Sequence, residues 1–146
     1  MQSMETMQLD TTQSPGDGDS ILLIDDNAIQ AATRQAILKR AGYFVIAALN
    51  PKRVLEQFQS DDFPVPIQLV LTDHLMPEMS GAQFVRELRK THPLMPVLVI
   101  SGLEEAADEY EGLNVLFHIK PLLPEQLLSS VQHLVRLNSH SIVTSA

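Results

Sequence analysis

The 146 residues include no cysteine and no tryptophan. The missing thiols rule out disulfides, thiolate metal sites and a cysteine nucleophile together. Basic residues are scarce as well: ten Lys and Arg stand against eighteen Asp and Glu, a formal charge of −8. That balance argues against nonspecific nucleic-acid binding, which needs a basic face to displace counterions. No apolar run approaches the roughly 20 residues that span a bilayer. The N-terminus lacks the basic start and apolar stretch of a signal peptide. A cytoplasmic protein with no membrane partner is therefore expected. The length suits one domain with a proper core and is short for two.

The acidity is unevenly spread. Residues 1–20 hold Glu5, Asp10, Asp17 and Asp19 with no Lys or Arg, among Gln, Thr, Ser and Gly. Such a composition cannot bury enough surface to offset its ordering entropy. The reading is a flexible acidic tail over 1–19, a folded unit over 20–138, and a flexible C-terminal tail over 139–146. A second acidic group, Glu104, Glu105, Asp108, Glu109 and Glu111, falls on one short helical stretch and reads as a solvated face, with a basic partner surface as the sharper alternative.

From Ser20 onward, short β-rich runs alternate with helical patterns. Strands are expected at 21–24, 44–49, 67–72, 97–100 and 115–119. Helices are expected at 27–41, from Pro51 through Phe58, at 81–91, at about 104–111, and from Pro124 to about Leu137. Ile29, Ala32, Ala36 and Ile37 are taken as the packing face of the first helix, which Gly42 stops. Leu127, Leu128, Val131, Leu134 and Val135 form the stripe of the last. Five βα units with short connections imply a doubly wound parallel sheet with helices on both faces. The inferred strand order is 2-1-3-4-5, the flavodoxin-like (βα)5 arrangement. All strand C-termini then share one edge, where ligands bind beside the topological switch point.

Four of the five strands end in chemically useful groups. Asp25-Asp26 follows the first, Asp73 the third, Ser101 the fourth and Lys120 the fifth. Three carboxylates crowded on one edge repel unless a cation sits among them, and an all-oxygen donor set suits Mg²⁺. A metal at +2 and Lys120 at +1 would balance three aspartates, leaving a site for phosphoryl transfer to a carboxylate. Taken singly, each piece has a plainer reading. Asp25-Asp26-Asn27 makes a helix N-cap, Asp73 and Ser101-Gly102 make turns, and Lys120 is a surface lysine before a proline. All four in order at successive strand tips favour the chemistry.

At these residues the chain resembles the receiver domain of two-component response regulators, including those attached to hybrid histidine kinases. The motif set is Asp-Asp after strand one, Asp-x-x-Met-Pro-x-x-x-Gly from Asp73 to Gly81, Ser-Gly after strand four and Lys-Pro after strand five. The resemblance implies that Asp73 is the phosphoacceptor, that Asp26 ligates Mg²⁺ directly and that Asp25 does so through water. It gives the remaining protein-ligand position to the backbone carbonyl of Leu75. It makes Ser101 and Lys120 the groups that meet the phosphate, Ser101 and Phe117 the switch pair, and Lys120-Pro121 a cis bond. Implied partners are a histidine kinase or histidine phosphotransfer protein and a downstream protein target. No direct DNA binding is expected, and a phosphorylation-dependent homodimer through the final helix stays open. Leu75 and Leu103 stand where some receivers carry polar groups that place the attacking water, so slow hydrolysis is expected. The rival readings are a phosphate-independent interaction scaffold and an aspartate-nucleophile phosphohydrolase. The second is disfavoured because residues 25–27 read Asp-Asp-Asn, not Asp-x-Asp, after strand one. No Gly-x-x-x-x-Gly-Lys loop for nucleotide phosphates occurs.

Overall fold

The computed structural model describes residues 18–145, so most of the expected N-terminal tail lies outside the described residues. Strands β1 (Ser20–Ile24), β2 (Phe44–Ala48), β3 (Leu69–Asp73), β4 (Val97–Ser101) and β5 (Leu116–Ile119) form one parallel sheet in the order β2-β1-β3-β4-β5. Helices α1 (Ala28–Arg40), α2 (Pro51–Ser60), α3 (Gly81–Thr91) and α4 (Pro124–Ser145) connect or follow them, and a 3-10 helix, Glu104–Tyr110, lies between β4 and β5.

Local chemistry sets the helix starts. Asn27 caps α1 by accepting from the amides of Ile29 and Gln30. Asn50 caps α2 in the same way, with Pro51 opening the helix. Ser80 and Gln83 close a reciprocal capping box on α3.

The three central strands, β1, β3 and β4, bury both faces. Ile21, Leu23, Leu69, Leu71, Leu98 and Ile100 pack with α1 and α4, through Leu38, Leu127, Val131 and Val135. Leu22, Ile24, Val70, Val97 and Val99 pack on the opposite face against Val54, Phe58, Phe84, Val85 and Leu88. At roughly 1.5–3 kcal/mol for each large apolar side chain fully buried, these two layers provide the main drive for folding. His118 on β5 shares a hydrogen bond with Ser130 of α4, at 2.8 Å. Arg89 of α3 donates to the carbonyls of Leu113, His92 and Asn114 at 2.7, 3.0 and 3.0 Å, tying down the loop that enters β5.

Three local readings are corrected. The inward face of α1 is Ala31 and Leu38, with Ile37 packed partly against the same core as expected, whereas Ile29 is 80% exposed and Ala32 and Ala36 face solvent. The acidic stretch after β4 winds as a 3-10 helix, with only Ala106 and Tyr110 buried to hold it. The final helix runs on to Ser145, past Leu137, because no glycine or proline stops it. No helix among the described residues is long and apolar enough to cross a membrane.

Candidate functional site

The site forms where the chain leaves β1 and β3, the two strands flanking the topological switch. β1 delivers Asp25, fully buried, and the exposed Asp26; β3 ends at Asp73, 5% exposed. One carboxylate oxygen from each of the three lies within 4.8 Å of the others. β5 ends just before Lys120, whose Nζ is 2.9 Å from Asp73 Oδ1 and 3.2 Å from Gln30 Oε1. The Lys120–Pro121 bond is cis. The backbone amide of Lys120 donates to the Ser101 carbonyl at 2.8 Å, fixing the two strand tips side by side.

Asp25 shows the electrostatic cost of this convergence. Burial raises its carboxyl above the usual range, and neighbouring Asp73 adds to the rise. The Asn27 amide, Arg34 and Lys120 pull the other way. Asp25 Oδ1 accepts from the Asn27 amide at 2.9 Å and Oδ2 from Arg34 at 2.9 Å, so both oxygens are engaged. Asp73 Oδ1 differs. Among the described residues it is the buried side-chain oxygen that makes no hydrogen bond, since the Lys120 ammonium lies close but outside hydrogen-bond geometry. A buried, incompletely satisfied carboxylate oxygen beside two other hard donors fits a small divalent cation such as Mg²⁺.

The remaining predicted residues sit around this centre in different states. The Ser101 side chain, buried at the β4 tip, bonds locally to Leu103: it accepts from the amide at 2.9 Å and donates to the carbonyl at 3.2 Å. Phe117 pairs in register with Val99, two residues before Ser101, so it shares Ser101's face of the sheet. It is partly buried there, its ring 5.6 Å from that of Tyr110. Leu75 and Leu103 are exposed on the loops after β3 and β4.

Two groups escaped the sequence reading. Arg34 reaches in from α1, with Nη1 2.9 Å from Asp25 and 3.8 Å from Asp73. Its signal was available, since it lies on the same helical face as Ala31 and Leu38, where an apolar residue is the ordinary choice. The second is His74, buried beside Asp73, whose Nδ1 hydrogen-bonds the Tyr110 hydroxyl at 2.7 Å and whose Nε2 is 3.7 Å from Glu109. Burial pushes the Tyr110 phenol well above its usual range, with Glu109 and Asp73 reinforcing the rise. The same hydroxyl explains Gly81. A Cβ there would run into Tyr110 Oη and approach the Asp73 carbonyl to 2.8 Å, so the constraint is space.

Comparison with known proteins agrees with this geometry. The sequence matches the response regulator receiver domain family over residues 21–132. The chain belongs to that family. It is 31% identical over 129 residues to the transcriptional regulatory protein ZraR of Escherichia coli (strain K12), covering 86% of this chain and 28% of that protein. It is 31% identical over 120 residues to response regulator RR06 of Streptococcus pneumoniae, covering 80% of this chain and 53% of the relative. The receiver thus spans about half or less of the length of these two relatives. Among solved structures it resembles a response regulator receiver protein from Sinorhizobium medicae, with a TM-score of 0.72 and 29% identity over 82% of this chain and 96% of that one. It also resembles the chemotaxis response regulator CheY4 of Vibrio cholerae, with a TM-score of 0.69 and 25% identity over 80% and 98%. The Asp25, Asp26 and Asp73 cluster is the acidic pocket of a two-component receiver, in a family whose members typically use Mg²⁺ and phosphorylation.

Proposed function

We propose that Asp73 is the phosphoacceptor of this receiver and takes its phosphoryl group from a phosphohistidine on a histidine kinase or histidine phosphotransfer protein. The observation that carries this reading is the state of Asp73 Oδ1, buried, without a hydrogen bond, and 2.9 Å from the Lys120 ammonium. An Asp73 carboxylate oxygen attacks phosphorus, and the phosphorus–nitrogen bond breaks. Its electron pair leaves with the imidazole, which takes up a proton. Lys120 holds positive charge beside the oxygens that gain negative charge. Asp26, Asp73 and the Leu75 carbonyl would hold Mg²⁺ directly, with Asp25 acting through water; the ion would supply charge neutralisation to the transferring group.

Phosphorylation adds about −1.5 to −2 in charge at Asp73. That charge draws the Ser101 hydroxyl away from Leu103 toward the phosphate, and Phe117, on the same face, moves into the space released. A downstream protein target reads the altered surface, either directly or through a phosphorylation-dependent homodimer. The acting unit is residues 20–138, its compartment is the cytoplasm, and it serves as an acceptor without multiple turnover on outside substrates.

Incubation with acetyl phosphate and Mg²⁺, followed by intact-mass measurement, tests the reading. The wild type should gain one phosphoryl group and Asp73→Asn none. A folded wild type of unchanged mass would instead identify a phosphate-independent scaffold.

A further inference from the structure

The phosphoacceptor chemistry proposed for Asp73 makes no use of Arg34, yet its guanidinium reaches two of the three acids of the cluster. The side chain is 13% exposed and enters from the inner face of α1, between Ala31 and Leu38. One nitrogen, Nη1, lies 2.9 Å from Asp25 Oδ2 and 3.8 Å from Asp73 Oδ1, the oxygen that Lys120 also approaches. Asp25 and Asp73 therefore face two resident cations before any metal arrives. Unlike lysine, arginine keeps its charge under all ordinary conditions, so it cannot step aside by losing a proton.

We infer that Arg34 is a resident counter-cation that competes with Mg²⁺ for the acidic cluster and sets the receiver's metal affinity. It supplies part of the neutralisation that a divalent ion would bring, so the aspartates tolerate one another in the metal-free protein. The same charge repels an incoming divalent ion across a few ångströms of partly desolvated space, where Coulomb forces are stronger than in water. It also occupies the Asp25 oxygen left over after the Asn27 amide has taken the other. Direct ligation then falls to Asp26 and Asp73. The inference rests on the reading of this cluster as a magnesium site.

Calorimetric titration with MgCl₂ at pH 8, with thermal unfolding in EDTA as a second readout, tests it on the wild type and on Arg34→Leu, Arg34→Gln and Arg34→Lys. The two neutral variants should bind Mg²⁺ about tenfold more tightly. They should also melt at lower temperature in EDTA and recover on adding the metal. Arg34→Lys, which keeps the charge, should stay near the wild type in both readouts. Neutral variants that bind Mg²⁺ no more tightly than a wild type that does bind it would overturn the role of Arg34 alone. A wild type that takes up no Mg²⁺ would bring down the metal reading and the competition together.

Discussion

His74 and Tyr110 form a polar pair under the β3–α3 loop, in an apolar layer that includes Met76, Phe84 and Val85. Replacing Tyr110 by Phe leaves the imidazole Nδ1 buried without its partner, at a cost of about 1–3 kcal/mol in chemical unfolding. The pH dependence has a definite sign. A phenol raised by burial above its usual 10.0 ionises more readily in the unfolded chain. Its stabilising contribution is complete below about pH 10 and is lost as pH climbs toward the folded value. Unfolding followed against pH should therefore show a steeper alkaline decline for the wild type than for Tyr110→Phe, with Tyr43, also raised by burial, supplying part of what remains. Leu75 and Leu103 carry a kinetic expectation. Neither side chain can orient an attacking water, so the Asp73 phosphate should be long-lived. Leu75→Asn combined with Leu103→Glu should speed its decay by about tenfold or more, measured by loss of the phosphorylated mass. At this scale the sequence was legible wherever a functional group stood at a strand tip, because the parallel sheet gathers those positions on one edge. It was opaque for Arg34, which comes from a helix, and for His74, whose role depends on Tyr110 reaching it through packing.

The elements teach a related lesson. In α1 the apolar residues Ile29, Ala32 and Ala36 suggested a packing face, yet the true inner face contains Arg34 and looks mixed on paper. The charged site residue disguised the stripe. In α4 no charge interrupts the inward face, and Leu127, Val131 and Val135 pack as their spacing indicates. Asn27, Asn50 and Ser80 gave readable helix starts because capping is a local transaction between a side chain and nearby amides. The 3-10 winding of residues 104–110 was not readable in that way. Its hold depends on Tyr110 reaching His74, thirty-six positions earlier in the chain. The β3–α3 connection gives this scale its prediction. Gly81→Ala should destabilise by about 1–3 kcal/mol through overpacking against Tyr110 and the Asp73 carbonyl. The loss should shrink in a Tyr110→Phe background, where one of those obstacles is gone. A thermodynamic cycle over the four proteins measures the difference.

For the molecule as a whole, strand order and charge distribution act together. The order β2-β1-β3-β4-β5 puts the Asp25-Asp26 tip beside that of Asp73 and leaves β2, which supplies no such group, at the edge. This much followed from counting βα units and asking which tips carry chemistry. A net charge of −8 gives the fold little reserve against further like-charge crowding, so metal occupancy should register in global stability. Mg²⁺ at ten times its dissociation constant should stabilise the native state by about 1.4 kcal/mol. The melting temperature should then rise by about 4–6 °C, with Asp26→Asn blunting the rise in calorimetry. The hydrogen bond between His118 and Ser130 carries a mechanical consequence for signalling. It latches the edge strand β5 to the last helix at 2.8 Å, so the two should travel as one lever. A partner that grips the helix would then feel displacements born at the opposite end of the strand, without touching the strand itself.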